Sequence, residues 1–338
     1  MLNYRADVSL KPFNTLALTS TAKVFVEVSS EAQLLSALDY AEQNSLEIIV
    51  LSGGSNVIFA KDFAGLVIHI AIPGVTIKQH NDEVLVTAGA GENWHQLAMD
   101  CLNQDISGLQ NLVLIPGCVG AAPIQNIGAY GVELKDIFHS LKGWDRLERC
   151  WKKLYRDDCC FGYRDSIFKG SLKDRFIITE VTLKLSRNDT VNIDYGILGN
   201  YLRERGISHA KPIEVAKAVI AIRSSKLPDP AKLANAGSFF KNPVVTKQLF
   251  AKLIEQYPSM PNYPAADQQV KLAAGWLLEE AGWKGYRQND CGMHRDQALV
   301  LVNYGNATGE QVIDLARTIQ RNIADKFSVH LEVEPRVY

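Results

Sequence analysis

The chain has 338 residues, more than one hydrophobic core usually organises, so two or three compact domains are expected. Hydrophobic residues at 47% and charged residues at 22% exclude a disordered or fibrous chain. Thirty-six Lys and Arg stand against 37 Asp and Glu, so no chain-wide positive field is available for nucleic acid or an anionic membrane, and any anionic ligand must be met by local groups.

The opening MLNYRADVSLKPFNTLAL has no basic start followed by a long apolar run and does not read as a signal peptide. No apolar stretch approaches a membrane span. The first 115 residues read as short strands alternating with helices. Ser30 is placed to cap a helix with Leu34, Leu35, Leu38 and Ala41 at helical spacing. LEIIVL (46–51) reads as a buried strand, SGGSN (52–56) as a sharp turn, and LVIHI (66–70) and EVLVTAG (83–89) as further strands. GENWHQLAMDCLNQ then carries a helical pattern with Trp94, Leu97 and Leu102.

From Pro116 to Gly131, PGCVGAAPIQNIGAYG, the periodicity disappears, and the stretch is expected to form neither helix nor strand. Residues 132–188 resume as strands around an isolated polar stretch, WKKLYRDDCC. KLPDPAKLANAGSFFKNP (226–243) reads as a domain linker and a long functional loop. TKQLFAKLIEQ and KLAAGWLLEEAG read as helices, ALVLVN (298–303) as a buried strand. Thr308 and Gln311 form a capping box for a helix with the stripe Val312, Leu315, Ile319, Ile323 and Phe327. In the tail, SVHLEVEPRVY, alternation predicts a strand with Glu332 and Glu334 on the face opposite Val329, Leu331 and Val333.

Two glycine-rich segments carry the strongest chemical signal. SGGSN directly follows a buried strand, so its amides can form an anion nest that holds a phosphate without net positive charge; a plain Gly-Gly turn is the alternative. PGCVGAAPIQNIGAYG has almost no bulky side chain, as suits backbone lying against a flat ligand. Neither matches the dinucleotide or Walker glycine patterns. Arg164 in FGYRDSIFK reads by itself as a surface or buried ion pair, and Ser238 in NAGSFFKNP, which is no nucleophile elbow, as closing a turn. Glu332 and Glu334 could be a solvated face or a site carboxylate. The six cysteines lack zinc or disulfide spacing, which fits a reducing cytoplasm. Cys159 and Cys160 are expected to be packed thiols, and a metal site is not expected.

Taken together, KPFNTLAL, GGSN, GAGENWHQL, LIPGCVGAAPIQNIGAYG, FGYRDSIFK, KLPDP, NAGSFFKNP, KLAAGWLLE, HRDQALVLVN and LEVEPR run in one order along the chain. In that order the set resembles the UDP-N-acetylenolpyruvoylglucosamine reductase family over essentially the whole length, in the form with a tyrosine loop. The resemblance implies an α+β fold in three domains. The first two would form a vanillyl-alcohol-oxidase-like (PCMH-like) FAD-binding unit, at 1–72 and 73–227. The third would be a substrate-binding α/β domain at 228–327, with the tail 328–338 returning near the first.

The implied activity is NADPH-dependent reduction of the enolpyruvyl ether of UDP-N-acetylglucosamine to UDP-N-acetylmuramate through FAD, in peptidoglycan precursor synthesis. The implied setting is a cytoplasmic monomer without nucleic-acid or membrane partners. Arg164, Ser238 and Glu334 match the catalytic positions. Gly53, Gly54, Ser55, Asn56, Pro116, Gly117, Gly120, Gln125, Asn126, Gly128, Ala129 and Arg223 match the cofactor positions. Tyr195, Lys226, Asn242, Lys284 and Gln297 match the substrate positions. Related oxidases tether flavin through a His where this turn has Ser55, which implies non-covalent FAD. The chain departs from the family at Ala121 and Ala122, where Ser or Gly is frequent, at Pro335, where Val is usual, and in ending four residues after Glu334. A carboxylate facing a developing dianion is repelled, so the implied chemistry favours a protonated Glu334.

Overall fold

The computed structural model describes residues 2–188, 191–265 and 268–338. It divides into two compact units with interleaved chain segments. The first holds the chain up to Val8, Ala22–Gly53 and Ala64–Ser225; the second holds Ser9–Thr21, Gly54–Phe63 and Lys226–Tyr338.

In the first unit a four-stranded sheet runs in the order Arg5–Ser9, Thr21–Val28, Phe63–Ile70, Ile48–Leu51. Its last two strands are parallel, with Ile48 opposite Leu66. Helix Glu31–Gln43 starts where the Ser30 side chain accepts from the Gln33 amide, and it buries Leu34, Ala37 and Ala41. Together they build a core around Val26, Leu34, Leu66 and Ile68 that turns apolar surface away from water.

A five-stranded antiparallel sheet follows, in the order Cys150–Tyr155, Phe138–Asp145, Phe176–Ser186, Glu83–Gly89, Val75–His80. Leu141, Val181 and Ala88 lie side by side across it, all buried. Helices Trp94–Leu102, Gly196–Arg203 and Pro212–Lys226 contribute to its core.

The second unit contains an antiparallel sheet in the order Ala234–Ser238, Val300–Asn303, Cys291–Met293, Arg287–Gln288. Three further strands, Val244–Thr246, Gln269–Leu272 and Asn262–Pro264, form another. Thr308 and Gln311 form the expected capping box of helix Gly309–Phe327, and all five stripe residues are buried. Helices Lys247–Gln256 and Ala274–Glu280 complete the unit.

Several expectations are corrected. WKKLYRDDCC is not an isolated polar stretch: Cys150–Tyr155 is an edge strand held by Phe138–Asp145. The aperiodic stretch contains a 3-10 helix, Val119–Gln125, and a minimal ribbon pairing Gly128–Ala129 with Val132–Glu133. The presumed linker begins at a helix end, and Ala234–Ser238 within it is a strand. The tail forms a strand only at Arg336–Val337, parallel to Val57–Ile58. All six cysteines are free; Cys159 is packed as expected but Cys160 is exposed.

Candidate active site

In the first unit, residues marked for cofactor binding bring backbone into unusually close contact. A Cβ on Gly53 would lie 2.9 Å from the Gly117 Cα, and one on Gly120 would lie 2.5 Å from the Ala90 Cβ. Only glycine lets these segments meet. The Ser52 Oγ is buried beside them without a hydrogen-bond partner. Pro116 is exposed, while Ala121 and Gln125 are half-buried and Ala122 is packed in the core.

Asn126 adopts a left-handed conformation at φ +44°. Its Nδ2 donates to Glu133 Oε2 and the Gly162 carbonyl, and its Oδ1 accepts from the Lys135 amide. The fully buried side chain therefore shapes the loop.

Arg164 is also left-handed, at φ +53°. It donates from Nη2 to the Gly128 carbonyl at 2.6 Å, with Tyr163 beneath its guanidinium. Gly128 leaves room for it, since a Cβ there would lie 3.0 Å from Arg164 Nη1. Arg223 interacts electrostatically with Arg164, Tyr130 and His95, and its buried Nε has no hydrogen-bond partner. Burial pulls the Arg223 pKa below the ordinary guanidinium value, and the like charge of Arg164 adds to that against an opposing contribution from Tyr130. Two cations held near one another, with an orphaned buried donor, are stabilised by an anion.

The Tyr130 ring meets Tyr195 edge-on at 5.5 Å, and burial raises the Tyr130 pKa. Asn111 Nδ2 joins the two segments by donating to the Tyr130 and Asn192 carbonyls. Glycine cradle, unpartnered Ser52 and Arg223 donors, and paired cations fit a cofactor with a flat ring system and a pyrophosphate.

In the second unit, Gly54 admits no side chain, because a Cβ would lie 1.9 Å from the Phe13 carbonyl oxygen. Ser55 accepts from Thr15 Oγ1 through its carbonyl. Asn56 is tied to the tail: its carbonyl accepts from the Arg336 amide, and its Nδ2 donates to the Glu334 carbonyl.

Ser238 ends its strand opposite Val300, after a register shift that begins at Asn235. The fully buried Asn235 builds that irregularity. Its Nδ2 donates to the Pro228 and Leu233 carbonyls, and its Oδ1 accepts from the Gly237 amide, with Gly237 at φ +69°. Such a bulge re-aims the residue that follows, and Ser238 is exposed while Phe239 and Phe240 are buried.

Phe240 forms an isolated antiparallel bridge with Val333. The Glu334 amide donates to the Phe239 carbonyl and the Lys241 amide to the Glu332 carbonyl, both at 2.9 Å. Ser238 and Glu334, far apart in sequence, are thus brought onto adjoining stretches of one short ladder. The two glutamates diverge. Glu332 is exposed in an ion pair with Lys241, whereas Glu334 is half-buried and followed by a buried Pro335.

The substrate-marked residues of this unit sit on different segments and have separate partners. Asn242 accepts the Ala274 amide at a helix start, Lys284 pairs with Glu279 at 2.7 Å, Gln297 accepts the Val300 amide through its carbonyl, and Lys226 is exposed. Residue-by-residue reading missed Asn235, Tyr130 and His95 as shapers of the site. The Asn-Ala-Gly run before Ser238 is the signal for an Asx turn that could have found Asn235.

Comparison with known proteins decides the family. A profile described as UDP-N-acetylenolpyruvoylglucosamine reductase, C-terminal domain, matches residues 229–338, and an FAD binding domain profile matches residues 22–147. The UDP-N-acetylenolpyruvoylglucosamine reductase of Pseudomonas syringae pv. syringae is 49% identical over 339 residues, covering 100% of this chain and 99% of that one. The chain belongs to the UDP-N-acetylenolpyruvoylglucosamine reductase family. The family's Pseudomonas aeruginosa member is 46% identical, with 100% and 99% of the two chains covered. The crystal structure of the reductase from Thermus caldophilus superposes with a TM-score of 0.69 at 22% identity, covering 100% of this chain and 99% of that one, which shows the shared fold. A solvent-stable cholesterol oxidase shares the fold more distantly, with a TM-score of 0.50 at 12% identity, covering 98% and 87%. The fold is α+β with an FAD-binding portion.

Proposed function

We propose that this chain reduces UDP-N-acetyl-3-O-(1-carboxyvinyl)-glucosamine to UDP-N-acetylmuramate, with NADPH as reductant and FAD as carrier, in peptidoglycan precursor synthesis. The observation that supports the reading is the short ladder pairing Phe239–Lys241, which directly follow Ser238, with Glu332–Glu334 in a full-length member of the reductase family. The hydride chemistry is supplied by FAD when it is bound.

Gly53, Gly117 and Gly120, with Arg223, would hold the cofactor in the first unit, together with backbone from Pro116 through Gln125, Asn126, Gly128 and Ala129. Gly54, Ser55 and Asn56 continue that turn in the second. Ser55 offers no imidazole for a covalent tether, so the FAD is assigned as dissociable.

Reduction of the vinyl ether adds hydride at the methylene carbon and a proton at the carbon bearing the carboxylate. Negative charge develops on that carbon and spreads into the carboxylate, where a preorganised donor has most effect. Arg164, fixed through Gly128, is assigned to hold it with its forked cation. Ser238 is assigned as the proton donor, since a carbanion is basic enough to take a hydroxyl proton. Glu334 is assigned to hold the same charge by hydrogen bonding. Tyr195, Lys226, Asn242, Lys284 and Gln297 are assigned to the nucleotide sugar. Lys284 would exchange Glu279 for an anionic group of the substrate, at low cost because exposed ion pairs contribute only about 0–1 kcal/mol.

We assign three domains, 1–72, 73–227 and 228–327, with the tail 328–338 joining the first. The four-stranded sheet ends before residue 73 and the five-stranded sheet begins after it, which supports the first of these boundaries. A cytoplasmic monomer is the assigned setting. Six free cysteines fit a reducing compartment, and among the described residues no helix is long and apolar enough to cross a membrane.

The test is NADPH oxidation by the purified, FAD-loaded protein. It should require the enolpyruvyl nucleotide sugar and yield a product heavier by two hydrogens; NADPH consumption indifferent to that sugar would refute the assignment.

A further inference from the structure

Leu114, two residues before the aperiodic loop, lies at φ +58°. A branched L-residue occupies that region only when its surroundings hold it there. The holding groups are the four consecutive residues Glu92–His95. The Val119 amide donates to the Glu92 carbonyl at 2.9 Å, and the Trp94 amide donates to the Gly117 carbonyl at 3.1 Å. Asn93 bridges Cys118. Trp94 Nε1 donates to the Leu112 carbonyl at 2.8 Å, and His95 Nδ1 accepts from the Leu114 amide at 3.0 Å.

Because Nδ1 accepts, a neutral His95 carries its proton on Nε2. Burial, with the positive charge of Arg223 behind it, lowers the imidazole pKa and keeps that acceptor available. Of these contacts, the one from His95 falls on the strained residue itself.

We propose that His95 is a positioning residue for the cofactor: its Nδ1 holds Leu114 in the left-handed conformation that gives the following loop the shape in which its amides bind FAD. The proposal rests on the reading of Pro116–Ala129 as cofactor-binding backbone. It separates from ordinary packing because the residue that His95 contacts is the left-handed Leu114 itself, so glycine at position 114 removes the need for the clamp.

FAD affinity and thermal stability of the apoprotein are measured for wild type, His95→Phe, His95→Asn, Leu114→Gly, and the double variant His95→Phe with Leu114→Gly. His95→Phe should bind FAD about tenfold more weakly, the scale of one lost hydrogen bond. His95→Asn, whose amide oxygen can replace Nδ1, should stay within about threefold of wild type, as should Leu114→Gly. The double variant should recover most of the loss, a non-additivity that a generic loss of packing does not produce. Wild-type affinity in His95→Phe, or no recovery in the double variant, overturns the proposal. If His95→Phe does not fold alone, folding restored by Leu114→Gly supports the clamp and continued unfolding overturns it. Wild-type apoprotein that takes up no FAD would instead overturn the cofactor reading.

Discussion

The two units prepare their chemistry by different means. In the first, left-handed residues recur where function is assigned: Leu114, Asn126, Tyr130 and Arg164 all have positive φ, and the side chain of Asn126 is consumed in holding the backbone. In the second, a side chain is aimed. Asn235 builds the irregularity before Ser238, and the residues directly after Ser238 pair with Glu332–Glu334 through the Phe240–Val333 bridge. Backbone strain suits a ligand gripped through amides; register suits a reaction that needs one hydroxyl in one place.

Breaking the first arrangement should have the largest effect. Asn126→Ala removes three hydrogen bonds and puts a Cβ residue at φ +44° without compensation. A loss of about 3 kcal/mol in denaturant unfolding is expected, with weakened FAD binding. Asn126→Gly should lose about 1 kcal/mol less, and equal losses would mean that the backbone conformation carries no strain.

Asp145→Asn separates the stability of the first unit from its ligand affinity. The carboxyl is fully buried, bonded bidentately by Arg175 and paired with Lys152, and those groups, Arg175 foremost, hold its pKa far below the ordinary carboxylate range. A depressed folded-state pKa means stabilisation that is complete above about pH 4 and fades as pH falls through the folded value. Allowing for the partly exposed cations, the variant should be about 2–3 kcal/mol less stable at pH 7. The gap in melting temperature should begin to narrow below about pH 4 and keep narrowing as the pH falls toward the folded value, with FAD affinity unchanged at neutral pH; a gap that does not narrow at all between about pH 4 and about pH 2 would assign the loss to packing.

The smallest effect distinguishes the two glutamates of the second unit. Glu332 is exposed and paired with Lys241, so Glu332→Gln should lose less than about 1 kcal/mol of stability and less than about fivefold in turnover. A Glu332→Gln loss matching that of Glu334→Gln would undo the choice between them.

How much of this was legible in the sequence follows physical range. Helices with local caps at Ser30 and Thr308 declared themselves, because cap and first turn are neighbours in the chain. The strand Cys150–Tyr155 did not, since its polar run is held by a partner strand. The tail alternates like a strand, yet its extended pairing is with Val57–Ile58, a contact with no local trace, and the Lys241 ion pair that sets Glu332 apart from Glu334 is likewise non-local. Motif order reached Ser238, Arg164 and Glu334, while the strain at Leu114 has no trace in the sequence and Asn235 is signalled there only by the Asn-Ala-Gly run.

The most direct test of the assigned chemistry is rapid-mixing spectroscopy on Ser238→Ala, following flavin bleaching by NADPH and its reversal by the enolpyruvyl nucleotide sugar as separate steps. Proton donation by Ser238 predicts normal bleaching and a reoxidation by the sugar slowed about a hundredfold or more; equal slowing of both steps, or of neither, would contradict it.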